Sequence, residues 1–155
     1  MLRKVSAMVL TTALLTGSVA ATAVFAQAAP VQQQQQQVKV QLNEKEFPFP
    51  QGVVVEDGVA YVNASTLAIA LGGTAAWDTM SKSLLVSKGK EYRLRMYENT
   101  TLAYKNGKET QVPNAAKPVR GGVLVPLVFI AEELGAKVSY DEKTLTYNLT
   151  VPINS

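Results

Sequence analysis

Residues 121–141 read Gly-Gly-Val-Leu-Val-Pro-Leu-Val-Phe-Ile-Ala-Glu-Glu-Leu-Gly-Ala-Lys-Val-Ser-Tyr-Asp, and this run contains a whole small folding unit. Leu127, Ile130, Ala131 and Leu134 fall at i, i+3, i+4 and i+7, which predicts a short helix with one narrow apolar stripe. Pro126 stands at its start, where a missing N–H costs least, and Gly135 ends it. Glu132 and Glu133 take the polar side. The chain then returns as a strand and closes on an aromatic-Asp pair, Tyr140-Asp141.

The same unit occurs earlier. Shifted by 63 residues, Asp57–Asp78 lies over Arg120–Asp141 with six identities in 22 positions: Gly58/Gly121, Val62/Val125, Ala68/Ala131, Leu71/Leu134, Gly72/Gly135 and Asp78/Asp141. Ala64, Leu67, Ala68 and Leu71 repeat the helical spacing, with Asn63 as N-cap and Gly72-Gly73 as stop. Each unit reads hairpin, helix, glycine stop, strand, aromatic-Asp turn. Each aromatic is expected to close the core at a strand end, and each Asp to cap the turn that follows. Neither unit buries enough apolar surface to stand alone. The expected fold is therefore one α+β domain, mainly an antiparallel curved sheet with two short helices, built from pseudo-repeats at about 53–88 and 117–150.

Strand patterns fill the remainder. Val38, Val40 and Leu42 alternate with Lys39 and Gln41. Asp57-Gly58 and Asn106-Gly107 are turn signals of hairpins. Tyr92, Leu94 and Met96 alternate with Arg93 and Arg95. Leu145, Tyr147, Leu149 and Val151 alternate with short polar residues, which predicts a terminal strand with one apolar face.

The N-terminal end has a different character. Arg3 and Lys4 precede an uncharged stretch, Val5–Phe25, and Val24-Phe25-Ala26 resembles a cleavage site, so residues 1–26 are read as a secretory signal peptide. With the signal removed, no membrane-spanning segment is expected. Residues 27–37 carry six consecutive glutamines and no apolar period, and are read as a disordered tether. The folded domain is placed at 38–152.

Charge and composition narrow the chemistry. The full chain has 15 Lys+Arg and 12 Asp+Glu, a net +3. Losing Arg3 and Lys4 leaves 13 against 12, a net +1, so no nucleic-acid partner is expected. The chain has no Cys and no His. That excludes disulfides, a thiol nucleophile, an imidazole base and the usual zinc or copper ligand sets. No cofactor and no metal are expected.

The two units resemble a known family. Gly122–Leu127 followed by Ala131–Asp141 is similar to the repeat motif of the copper amine oxidase N-terminal-like domain, or stalk domain, common in exported proteins of Gram-positive bacteria. Tyr61-Val62, Leu67–Gly73 and Trp77-Asp78 form a looser copy, and Gln41–Lys45 resembles the family's opening strand and turn, with Glu44 where Gly is usual. The similarity covers about Val38–Leu149. It implies an antiparallel sheet curved around short helices and an accessory role at the cell surface. Copper amine oxidase activity itself belongs to a separate domain with three His ligands and a Tyr-derived quinone. Here His is absent, and Ser139 precedes Tyr140 where the cofactor motif has Asn. Val128 stands where the family often has Arg after Val-Pro-Leu.

Candidate ligand residues are few. Lys88, Lys90, Arg93 and Arg95 put four cations within eight residues, partly balanced by Glu91. On a strand Arg93 and Arg95 share a side at a spacing of about 7 Å, suited to an anionic wall polymer. The competing reading is a solvated sheet face. Tyr97 and Tyr104 are the surface aromatics available to a glycan. Glu132-Glu133 and Asp141-Glu142 are adjacent pairs rather than the separated carboxylates of a glycosidase. The expectation is a secreted, extracellular or wall-associated, non-catalytic binding module whose partner is a cell-wall polymer or another exported protein. The alternative is a self-assembling fibre or oligomer subunit that pairs through Thr144–Val151 or Val38–Leu42. A carboxylate hydrolase is the remote third.

Overall fold

The structure is a computed structural model and describes residues 37–152. The expected signal peptide, and the tether up to residue 36, lie outside the described residues. In chain order the elements are β1 (Lys39–Leu42), β2 (Lys45–Glu46), β3 (Val54–Glu56), β4 (Val59–Asn63), α1 (Ala64–Ala70), β5 (Thr74–Asp78), β6 (Ser83–Lys88), β7 (Tyr92–Tyr97), β8 (Thr100–Lys105), β9 (Lys108–Gln111), β10 (Lys117–Val119), β11 (Gly122–Pro126), α2 (Leu127–Glu133), β12 (Lys137–Asp141) and β13 (Thr146–Thr150). No helix among the described residues is long and apolar enough to cross a membrane.

The repeat is structural as well as sequential. β3-β4-α1-β5-β6 forms one unit and β10-β11-α2-β12-β13 the other. Val54 pairs with Tyr61 and Glu56 with Val59 in the first; Lys117 pairs with Leu124 and Val119 with Gly122 in the second. Thr74 pairs with Ser87 and Asp78 with Ser83, as Lys137 does with Thr150 and Asp141 with Thr146. Every one of these pairs maps onto its counterpart under the 63-residue shift.

The units join through β4 and β11, which run antiparallel with Asn63 opposite Leu124, Val62 opposite Val125 and Tyr61 opposite Pro126. This makes a four-stranded sheet in the order β10-β11-β4-β3. Each helix reaches across to the other unit's strand, α1 to β11 and α2 to β4. Leu67, Ala68, Leu127, Ile130 and Ala131 are buried in one cluster with Val62 and Val125. Burial of these side chains, at about 25 cal/mol per Å² of apolar surface, is the main term holding the halves together.

Capping chemistry explains the helix limits. Asn63 Oδ1 accepts from the Thr66 backbone N–H at 3.0 Å and caps α1. Its counterpart is Pro126, which has no side-chain donor or acceptor and takes the N-cap position itself. The glycine stops Gly72 and Gly135 adopt φ of +79° and +89°, where a side chain would be strained.

Outside the repeat the two units diverge. β6 continues into an antiparallel meander, β5-β6-β7-β8-β9. β13 instead takes β1 as its neighbour, and takes it in parallel, with Lys39 beside Thr146 and Leu42 beside Leu149. The resulting sheet has the order β12-β13-β1-β2.

Three expectations need correction. The alternation predicted from Leu145 fails at its first residue. Asp141 Oδ1 accepts from the Lys143 and Thr144 N–H groups and extends the turn, and Leu145 takes φ +51°, like its counterpart Lys82. Tyr140 does not close the core. It stays 43% exposed and packs on Tyr147 with ring centroids 4.4 Å apart, whereas its counterpart Trp77, also on an edge strand, packs against the core. Finally, neither strand named for self-assembly is a free edge. β13 lies between β12 and β1, and β1 lies between β13 and β2.

Candidate functional site

Strand parity in the five-stranded sheet sorts the candidate residues. Leu84, Val86, Leu94, Met96 and Ala103 face the core and are buried. Arg93, Arg95 and Tyr97, on β7, therefore face outward together. Tyr104 of β8 is opposite Arg95 in the ladder and shares that face. Leu85 is opposite Arg95 on the other side, and Glu109 of β9 is opposite Tyr104. The outer face thus carries two guanidinium groups, two phenol rings and a leucine, with one carboxylate at its margin.

The aromatic part has a defined geometry. The Tyr97 and Tyr104 rings meet edge to face with centroids 6.3 Å apart. With Ser81, Lys82, Glu98, Thr100 and Leu102 they line a shallow depression of about 320 Å³. Lys82 adds a cation to its rim. Sequence reasoning did not assign Lys82 or Leu102 to this surface, because only the fold brings the β5–β6 turn against β8.

Arg95 is oriented and Arg93 is freer. Arg95 Nη1 donates to Ser83 Oγ at 2.8 Å, and Ser83 and Ser81 share a hydroxyl contact of 2.7 Å. Ser81 Oγ donates its proton to Asp78 Oδ2 at 2.8 Å, so Ser83 must be the donor to Ser81. Every proton in the chain points towards Asp78. The Asp78 carboxyl is held below the usual range, first by the Ser81 hydroxyl, then by the Met80 and Ser81 N–H groups, with a smaller contribution from Arg95. Arg93 is exposed, and its backbone N–H donates to Asn106 Oδ1 at 2.8 Å.

Lys88 does not join this surface. By parity it is on the core side of β6, and its Nζ donates to the Leu134 carbonyl at the C-terminal end of α2. Beside it, Glu133 accepts from the Tyr92 hydroxyl at 2.8 Å and pairs with Lys105 at 2.8 Å. Burial, then the hydrogen bond to Glu133, pushes the Tyr92 phenol well above its ordinary pKa. Lys90 is exposed in the β6–β7 turn, beside Glu91 and away from the tyrosines. Of the six candidates, Arg93, Arg95, Tyr97 and Tyr104 come together.

The carboxylates have other partners. Glu133 is engaged as above, and Asp78 and Asp141 cap turns. Among the described residues no group of three or more His, Cys, Asp or Glu could hold a metal ion. With no His or Cys in the chain, the residues do not fit a copper site.

A family model described as the copper amine oxidase N-terminal domain matches residues 23–149. No curated protein and no solved structure matches.

Proposed function

The chain belongs to the copper amine oxidase N-terminal domain family, and from that membership we propose a secreted, non-catalytic module that holds an anionic cell-envelope polymer on the outer face of its five-stranded sheet. The observation that carries this reading is the outward grouping of Arg93, Arg95, Tyr97 and Tyr104 on β7 and β8. Guanidinium groups bind phosphate or carboxylate oxygens in pairs, and phenol rings supply apolar faces for sugar rings. Arg95 is already fixed through Ser83, so less side-chain freedom is lost on binding. Export is supported by the charged start, uncharged stretch and cleavage-like Val24-Phe25-Ala26 of the N-terminal end.

Sedimentation with purified cell walls tests the reading. Mature protein beginning at Gln27 is expected to pellet with walls at low salt and to be released near 0.5 M salt, where the Debye length is only about 4 Å. Protein that stays wholly in the supernatant at low salt rules wall binding out. Pelleting onto protein-bearing walls but not onto protein-stripped walls would instead identify an exported protein as the partner.

A further inference from the structure

The repeat supplies an internal comparison that points to a second binding site. In the first unit, the outer face beside the Asp78 turn is filled by Arg95, whose guanidinium sits on Ser83. The second unit builds the same cradle. Asp141, Thr144 and Thr146 are the counterparts of Asp78, Ser81 and Ser83. Asp141 Oδ1 accepts from Lys143 N–H at 2.9 Å and Thr144 N–H at 3.4 Å, as Asp78 Oδ1 does from Met80 at 2.9 Å and Ser81 at 3.4 Å.

What differs is the neighbouring strand. Arg95 stands opposite Leu85, and the counterpart of Leu85 is Asn148. Opposite Asn148 stands Gln41, because β1 replaces β7 there. Gln41 is shorter and neutral. The space is left as a depression of about 380 Å³, lined by Lys39, Gln41, Glu46, Asp141, Thr144, Thr146 and Asn148. Every lining side chain is polar, and two carboxylates outweigh one ammonium. Thr146 is 6% exposed, and its hydroxyl donates to the Thr144 carbonyl at 3.1 Å. Among the described residues no donor reaches the Thr146 hydroxyl oxygen or Asp141 Oδ2. Of their counterparts, Ser83 Oγ accepts from Arg95 and Asp78 Oδ2 from the Ser81 hydroxyl.

The geometry points to a guanidinium site in the second unit: the cradle of Asp141, Thr146, Asn148 and Gln41 takes an arginine side chain from another polypeptide, in the place Arg95 fills in the first unit. The Thr146 oxygen and the free Asp141 oxygen accept its N–H groups, and the Gln41 and Asn148 amides supply further acceptors. Glu46 adds negative charge at the rim, and Lys39 opposes it.

The test is an NMR titration of the mature protein with N-acetyl-arginine amide, with N-acetyl-lysine amide as comparison. Saturable shifts of the Gln41, Thr146 and Asn148 backbone amides are expected with the arginine probe at millimolar concentration, and weaker ones with lysine. Asp141→Asn keeps the turn acceptor and is expected to weaken binding about threefold, the scale of an exposed ion pair. Lys39→Gln is expected to tighten it by a similar factor. Arg95→Ala opens the first cradle and serves as the calibration, with new shifts at Ser83 and Leu85. If Arg95→Ala gains a site while the second unit shows no saturable shift, the proposal is overturned. Shifts that leave Asp141→Asn unaffected overturn it equally. Concentration-dependent shifts of the same amides in protein without probe would show that the arginine comes from a second copy of this chain, and would support the same site.

Discussion

Val62 and Val125 stand directly opposite each other in the β4–β11 ladder, and they are the same residue of the two repeats. Both are fully buried. The flanking pairs, Tyr61 with Pro126 and Asn63 with Leu124, are then counterparts in reverse. The halves therefore meet as the protomers of a two-fold dimer do, each presenting the same patch to the other. Val62→Ala and Val125→Ala are each expected to cost about 2 kcal/mol, from two lost methyl groups and the residual cavity. Because they share one cavity, the double variant should depart from additivity by about 0.5 kcal/mol or more in urea denaturation. Additive losses would show that the two sites do not touch energetically.

The capping asymmetry gives a second expectation. Asn63 caps α1 and also donates from Nδ2 to Gln51 Oε1 at 3.2 Å, whereas Pro126 makes no side-chain cap. Asn63→Ala should destabilise by about 1–2 kcal/mol, and Asn63→Asp, which keeps the capping oxygen, should recover much of it. Thermal melts of the three proteins check the order.

Stability should also fall at high pH. Burial, first, raises the Tyr92 phenol above its ordinary value, and burial raises Tyr147 as well. In that range the folded state holds protons that the unfolded state has lost. The stabilisation is complete below the unfolded value of about 10 and is lost as pH rises above it. Tyr92→Phe is expected to flatten this alkaline decline in urea midpoints measured from pH 8 to pH 11. An unchanged slope would assign the decline to other groups.

The binding face and the α2 contact can be separated by two charge removals. Arg93→Ser should weaken wall pelleting and leave the melting temperature nearly unchanged, since the side chain is exposed. Lys88→Met should do the reverse, because it leaves the Leu134 carbonyl without its donor. Equal effects of both on pelleting would place the ligand elsewhere.

Local chemistry made much of this fold legible. The Asp57-Gly58 and Asn106-Gly107 turns, the two helical stripes and the glycine stops depend on neighbours in sequence, and they stand where the pattern puts them. Pairing partners were not legible, since alternation assigns faces and says nothing of which strand lies alongside. That is why β1 beside β13 was missed, and with it the cradle under Gln41. The same limit applied to Lys88. Its proximity in sequence to Arg93 suggested a shared surface, while the β6–β7 turn places it on the opposite face.

The parallel alignment of β1 and β13 also sets how the molecule answers a pull. Force on the two ends of the domain draws β1 towards its start and β13 towards its finish, so the ladder between Lys39–Leu42 and Thr146–Leu149 is loaded along its length. All its backbone bonds then share the tension at once, and none is peeled open singly. A domain held at one end by a surface and at the other by cargo would carry the load through this four-residue ladder in shear.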